Sequence, residues 1–109
     1  MESNPSDAPA AWLAPGQGWP AGLMRADAPA GPRMARLLVI NLLFAMSDAD
    51  ADISTVAASA DVEVGELRAL LIGLIAPRIE TVAALETALG NQLWPSPAQL
   101  RAMWSELER

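Results

Sequence analysis

Apolar residues recur at helical spacing through most of the chain after residue 32. The first periodic segment, residues 32–46, begins at a proline, whose fixed backbone angle suits the first turn of a helix. Its main apolar stripe consists of Leu37, Ile40, Leu43 and Phe44, and Leu38, Val39 and Leu42 widen that stripe. We therefore expect a first helix that is nearly all buried.

Three shorter segments have capping residues, prolines or glycines at their ends. Asp52 is a suitable N-cap for a helix over residues 53–60. A helix over residues 64–72 follows after very few residues and closes at Gly73, so these two helices must meet at a sharp angle. A fourth helix restarts at Pro77 and stops at Gly90. Its predicted inward residues are Ile79, Val82, Leu85 and Leu89.

A last helix is predicted from Ser96-Pro97, a capping serine followed by a proline at the first helical position. Its apolar positions at i, i+3, i+4 and i+7 are Leu100, Met103, Trp104 and Leu107. The pattern therefore predicts an all-α protein, a small bundle of about five helices.

Residues 1–32 show no sustained periodicity, and they contain six of the nine prolines and four of the seven glycines. We expect a flexible, extended N-terminal arm there. Trp12 and Trp19 are nevertheless too apolar for a plain linker and suit docking on the domain or on a partner. The predicted organisation is this arm, a helical domain over residues 33–94 and an amphipathic helix over residues 95–109.

Composition limits the chemistry. There is no Cys and no His, which excludes disulfides, thiolate nucleophiles, histidine bases and the usual zinc sites. No acidic pair is flanked by a recognisable base, phosphate loop or metal-ligand spacing, so we expect no enzyme activity, no metal and no cofactor. Thirteen acidic residues face seven basic ones, and the net charge of -6 predicts low general affinity for DNA.

The chain also lacks the usual signs of membrane insertion or export. Its longest apolar run, residues 37–46, contains Asn41 and is far shorter than the roughly 20 residues that span a bilayer. The N-terminus has no basic region followed by an apolar core. We expect a cytoplasmic protein with no membrane partner. All seven basic residues are Arg, and the abundance of Ala, Gly and Pro favours a bacterial genome of high GC content.

Residues 53–94 resemble the helix-turn-helix domain of phage-repressor-like transcription regulators, the lambda repressor/Cro or XRE type. The matching positions in the first part are Val56, Ala57, Ala60, Val62, Leu67, Leu70 and Gly73. The more distinctive match is Pro77-Arg78-Ile79-Glu80-Thr81-Val82 followed by Ala88-Leu89-Gly90. The resemblance implies a helix-turn-helix within the bundle and double-stranded DNA as a partner.

Carried over position by position, the resemblance implies that Glu63, Val64, Gly65 and Arg68 face the major groove. Arg68 suits a guanine or a phosphate, although a surface pair with Glu66 or Glu63 explains it equally well. Two positions depart from the family: Glu63 stands where Ser or Thr is common, and Ile53 where Gln is frequent. Both changes cost DNA affinity. Candidate phosphate anchors at the rims are Arg33, Arg36 and Arg78.

A second anomaly is the apolar sequence around Gly73, where the family usually has polar residues. Because a helix buries only one face, part of this stretch should be exposed in a monomer and should mark an interface. The predicted interface residues are Leu71, Ile72, Leu74, Ile75, Trp94, Leu100, Met103 and Trp104. A homodimer is the first interpretation, and cover by the last helix or the N-terminal arm is the other.

Two functions remain open from the sequence. The first is a DNA-binding transcription regulator that acts through the helix-turn-helix as a homodimer. The second is a protein-interaction module on the same fold, such as an antirepressor, an antitoxin-like partner or a regulator-binding protein. The resemblance favours the first, which is the leading interpretation. The acidic surface, the missing polar residues at the start of the second motif helix and the surplus apolar residues support the second.

Overall fold

The protein is an all-α bundle, which confirms the predicted fold class. The computed structural model describes residues 8–107, except for the side chain of Leu107. Its helices are α1 (Ala30–Asp48), α2 (Ile53–Ala60), α3 (Val64–Leu71), α4 (Ile79–Leu89) and α5 (Pro97–Leu107). Over this part of the chain no strand forms, and no helix has the length and apolar character needed to cross a membrane.

Local capping explains why several helix ends match the sequence prediction. The Asp52 side chain accepts a hydrogen bond from the Thr55 amide at 2.8 Å, and this bond lowers the pKa of Asp52. Ser96 and Gln99 form a reciprocal capping box at the start of α5, each side chain accepting from the other's amide. Gly90 ends α4 in the left-handed conformation.

The core face of α1 differs from the predicted stripe. Leu38, Val39 and Leu42 are fully buried, whereas Leu43 and Phe44 are exposed. The helix packs against α3, α5 and the N-terminal segment, and Leu38, Val39 and Leu42 belong to the central core cluster. Since apolar residues surround almost the whole helix, its pattern did not determine which side faces the core.

The inward face of α4 also differs at its first turn. Val82 and Leu85 are buried as predicted, but Ile79 is 75% exposed. Thr81 takes the buried position in that turn instead. It can do so because its hydroxyl donates a hydrogen bond to Glu66 of α3, which satisfies a polar group inside the bundle.

The segment before α1 is folded onto the bundle over residues 8–28, which we call the strap. Pro9–Trp12 form a short 3₁₀ helix, and a single antiparallel bridge joins Leu13 to Met24. The Trp19 indole nitrogen donates to the Leu71 carbonyl at 3.0 Å. The strap therefore differs from the flexible, extended arm that the proline and glycine content predicts, and Trp19 shows the docking on the domain that was the alternative. Residues 1–7 of that arm lie outside the described residues.

Candidate nucleic-acid interface

The chain turns sharply between α2 and α3, where the sequence predicted a corner. Asp61 adopts the left-handed conformation (φ 56°, ψ 45°) and ends α2. The next amide, that of Val62, donates to the Ala57 carbonyl at 2.9 Å. Three residues, 61–63, thus separate two helices that pack against each other. Ala57 is 1% exposed, as expected where the small side chain allows close packing.

The corner presents one side of α3 to solvent. Glu63, Gly65 and Arg68 are exposed and Val64 is half-buried, and we call these four residues the α3 edge. On the opposite side, Leu67 and Leu70 are fully buried in the core. Of the four residues that the resemblance placed at the major groove, Glu63, Gly65 and Arg68 are therefore accessible, whereas Val64 also packs against the core.

Arg68 is the cation of the α3 edge, and it forms no ion pair with any described residue. The alternative pairing with Glu66 is not observed, because the carboxylate of Glu66 is bound by Arg78. Glu63 does not cap α3 with its side chain. The first-turn amides of α3 have no acceptor within the helix, and the Glu63 side chain does not supply one.

Arg33 is not a phosphate anchor, and that prediction is wrong. Its side chain is buried inside the fold. Its Nε donates to the Ala28 carbonyl at 2.8 Å, and its Nη2 donates to the Arg25 carbonyl at 2.9 Å. Nη1 pairs with Glu106 of α5 at 3.1 Å. The guanidinium thus joins α1, α5 and the end of the strap.

Arg36, a second predicted anchor, is also engaged within the chain. Its Nε donates to the Gly22 carbonyl at 3.1 Å and its Nη2 to the Ala21 carbonyl at 3.2 Å. Both acceptors belong to the strap. These bonds could not be predicted, because the side-chain pattern of an aperiodic segment does not indicate where its main-chain carbonyls lie.

Arg78 lies at the surface, but carboxylates surround its guanidinium. It binds both oxygens of Glu66 at 3.1 Å and Oε1 of Glu80 at 2.8 Å. The Thr81 hydroxyl donates to Glu66 at 2.7 Å, and this bond, followed by Arg78, lowers the pKa of Glu66. Glu66 therefore stays charged at neutral pH and links α3 to α4. Of the four predicted cationic contacts, Arg68 is the one with no partner among residues 8–107.

The α3 edge lies within the acidic part of the chain. Residues 47–90 contain eight acidic side chains and two arginines, Arg68 and Arg78. This balance opposes the approach of a phosphate backbone at long range. Within the described residues, no group of three or more acidic side chains is arranged to hold a metal ion.

The predicted apolar interface is exposed only in part. Ile72, Leu74, Ile75, Trp94 and Trp104 are exposed, and Leu100 is half-buried. Leu71 and Met103 are buried within the chain, so their assignment to the interface surface is wrong. Leu71 joins the core beneath the strap, and Met103 is buried on α5. The sequence pattern placed Ile79 and Phe44 on the inward faces of their helices, but both are exposed.

A cleft of about 400 Å³ separates the exposed rings of Phe44 and Trp94. Among its lining residues, Asn41 and Gln99 exchange hydrogen bonds through their side-chain amides at 3.0 and 3.2 Å. Asn41 also donates to the Leu93 carbonyl at 2.9 Å. These amides are therefore engaged in joining α1 to the start of α5.

Comparison of the chain with protein-family models, with curated proteins and with solved structures gives no match.

Proposed function

We propose that the protein is a DNA-binding transcription regulator that acts through α2, the turn and α3 as a helix-turn-helix. One observation carries this proposal: a short helix follows a sharp corner and exposes the α3 edge, while Leu67 and Leu70 hold its other side in the core. In helix-turn-helix proteins, the start of the second helix enters the major groove and contacts base edges. The resemblance of residues 53–94 to repressor-like domains supports the same function.

The chemistry of the α3 edge suits recognition by few contacts. The unpaired guanidinium of Arg68 offers a donor fork to the paired acceptors of guanine. Gly65 has open space around its α-carbon, so a base or a backbone can approach closely. Val64 offers methyl groups to thymine, and Glu63 can accept from cytosine. Because Arg33, Arg36 and Arg78 are engaged internally, few phosphates are neutralised, and we expect weak non-specific binding with a shallow salt dependence.

Substituting Arg68 tests this function. We expect the wild-type protein to bind a duplex from the region upstream of its own gene, and Arg68→Ala to weaken that binding about 10- to 100-fold, the range expected for one bidentate base contact. Fluorescence anisotropy of the labelled duplex, titrated at several salt concentrations, measures both affinity and salt slope.

Arg101→Ala is the matched control, since Arg101 is exposed on α5 and the substitution removes the same charge. It should leave affinity for the duplex nearly unchanged. Equal losses in the two variants would mean that only net charge matters. Absence of wild-type binding even at low salt would exclude the DNA function, because phosphate contacts are strongest there.

The second candidate, a protein-interaction module, is favoured by four exposed apolar residues between the end of α3 and the first turn of α4: Ile72, Leu74, Ile75 and Ile79, which we call the apolar cluster. Exposed apolar residues grouped in this way commonly mark a protein interface. The acidic side chains of residues 47–90 are compatible with a basic protein partner and unfavourable for DNA. A wild-type chain that fails to bind DNA at low salt but keeps a fully folded α3 would favour this alternative.

We also propose that the apolar cluster forms a homodimer interface, which would place two α3 edges on one DNA site. Leu74→Asp should then convert a dimer into a monomer in sedimentation velocity at micromolar concentrations, because it buries a charge at the interface. Leu23→Asp is the control: Leu23 is 69% exposed and lies in the strap, whereas Leu74 is 58% exposed. A wild-type chain that is monomeric throughout this range would contradict the dimer.

A further inference from the structure

Each of the last four main-chain carbonyls of α3 accepts a hydrogen bond from outside the regular helix pattern or from the residue that ends the helix. The last four carbonyls of a helix lack partners within it and must find them elsewhere. Here the Leu74 amide donates to Ala69 at 2.9 Å and the Gly73 amide to Leu70 at 3.2 Å, which is the Schellman arrangement. The Ile72 amide donates to Arg68. The fourth carbonyl, that of Leu71, accepts from the Trp19 indole of the strap.

Gly73, two residues after the end of α3, lies in close contact with the strap. It has φ +78°, a conformation that strongly favours glycine. A Cβ atom there would lie 2.7 Å from Ala10 Cβ and 2.7 Å from Trp19 Cε2. The Ala10 amide also donates to the Gly73 carbonyl at 2.9 Å. The 3₁₀ helix of the strap and Trp19 thus both contact Gly73.

The other end of the strap is fixed to α1 by the two arginines already described. Arg36 holds the carbonyls of Ala21 and Gly22, and Arg33 holds those of Arg25 and Ala28. The strap is therefore anchored on one helix while it contacts the end of another. Such a link matters for α3, because a helix of eight residues is marginal by itself and depends on packing at its ends.

We propose that the strap is a positioning element for α3, with Trp19 and Gly73 as its positioning residues. Docking of Trp19 and Ala10 on Leu71 and Gly73 holds the last turn of α3, and Arg68 belongs to that turn. The strap touches the opposite end of α3 from Glu63 and acts on the exposed guanidinium only through the helix. The consequence for DNA recognition rests on the proposed function, whereas the hold on α3 does not.

The test compares two glycines of like backbone conformation by hydrogen exchange of the full chain. Gly73→Ala and Gly90→Ala both place alanine at a left-handed position (φ +78° and +66°), but a Cβ at Gly90 meets no atom within 4 Å. We expect Gly73→Ala to speed exchange of the amides of residues 68–74 more than Gly90→Ala speeds those at the end of α4. The difference between the two increases in exchange rate measures how far the contact with the strap protects the end of α3.

Trp19→Phe is a milder second variant, because it keeps an aromatic ring and removes the donor to Leu71. Loss of one such hydrogen bond should speed exchange in residues 68–74 about fivefold, with wild-type circular dichroism. Unchanged exchange in that segment, or an increase spread evenly over all helices, would overturn the proposal.

Measurements of DNA affinity distinguish the positioning role of the strap from the proposed DNA-binding function. If wild-type protein binds its duplex, Trp19→Phe should weaken binding severalfold although it removes no charge and no α3 residue. Faster exchange with unchanged DNA affinity would overturn the positioning role of Trp19. Faster exchange in a protein that binds no duplex at all would support the hold on α3 and refute the DNA function instead.

Discussion

Leu85→Ala is expected to lower the free energy of unfolding by about 3 kcal/mol, within the 2–5 kcal/mol usual for a buried leucine. Leu85 is fully buried in α4, which packs against α2. The loss combines the transfer of apolar atoms to water with the cavity left behind. Since a chain of 109 residues has a small core, this cost is a large share of its stability. Urea unfolding followed by circular dichroism measures it.

Ile79→Ala is the control for this prediction within the same helix. Ile79 is 75% exposed in the first turn of α4, so its truncation should change the stability of the monomer, measured at concentrations below dimer formation, by no more than about 0.5 kcal/mol. The sequence pattern placed both residues inward, and it therefore predicts two similar losses. Equal destabilisation by the two variants would contradict the packing of α4 described above.

Arg33→Ala is expected to cost about 3 kcal/mol, which is unusually large for an arginine. The substitution leaves the Ala28 carbonyl without its donor inside the fold, and it removes one of two donors to the Arg25 carbonyl, which also accepts from the Ala28 amide. Hydrogen bonds to charged groups contribute about 1.5–3 kcal/mol each, and part of that loss is recovered when water reaches the site. The ion pair itself adds little, because the Glu106 side chain is 54% exposed.

Arg101→Ala serves again as the control for Arg33, since it removes the same type of side chain from an exposed position on α5. We expect its midpoint of urea unfolding to match the wild type within about 0.5 kcal/mol. Wild-type stability of Arg33→Ala would mean that the guanidinium does not hold the strap and that the residue is available to a ligand.

The sequence predicted those parts of the fold that are encoded locally. Asp52, Gly73 and Gly90 act on neighbouring amides and carbonyls, so the ends of α2, α3 and α4 could be located from single residues. The face of α1 that turns toward the core could not be predicted. Apolar residues occur on nearly every side of this helix, so tertiary packing decides which of them are buried.

The candidate site also contains features that could be predicted from the sequence and features that could not. The exposure of Glu63 and Arg68 follows from a short turn and was predictable. The roles of Arg33, Arg36 and Arg78 were not, because each depends on a partner from a distant or aperiodic segment. An arginine is equally suited to a phosphate and to a main-chain carbonyl, and only the surrounding structure decides between them.

Contact between the α3 edge and DNA can be measured by chemical-shift mapping of the ¹⁵N-labelled protein. The labelled chain is titrated at low salt with the duplex from upstream of its own gene. We expect the amides of residues 63–68 to shift most, with little change in α5. Shifts confined to the apolar cluster or to the cleft beside Trp94, or no shifts at all, would contradict it.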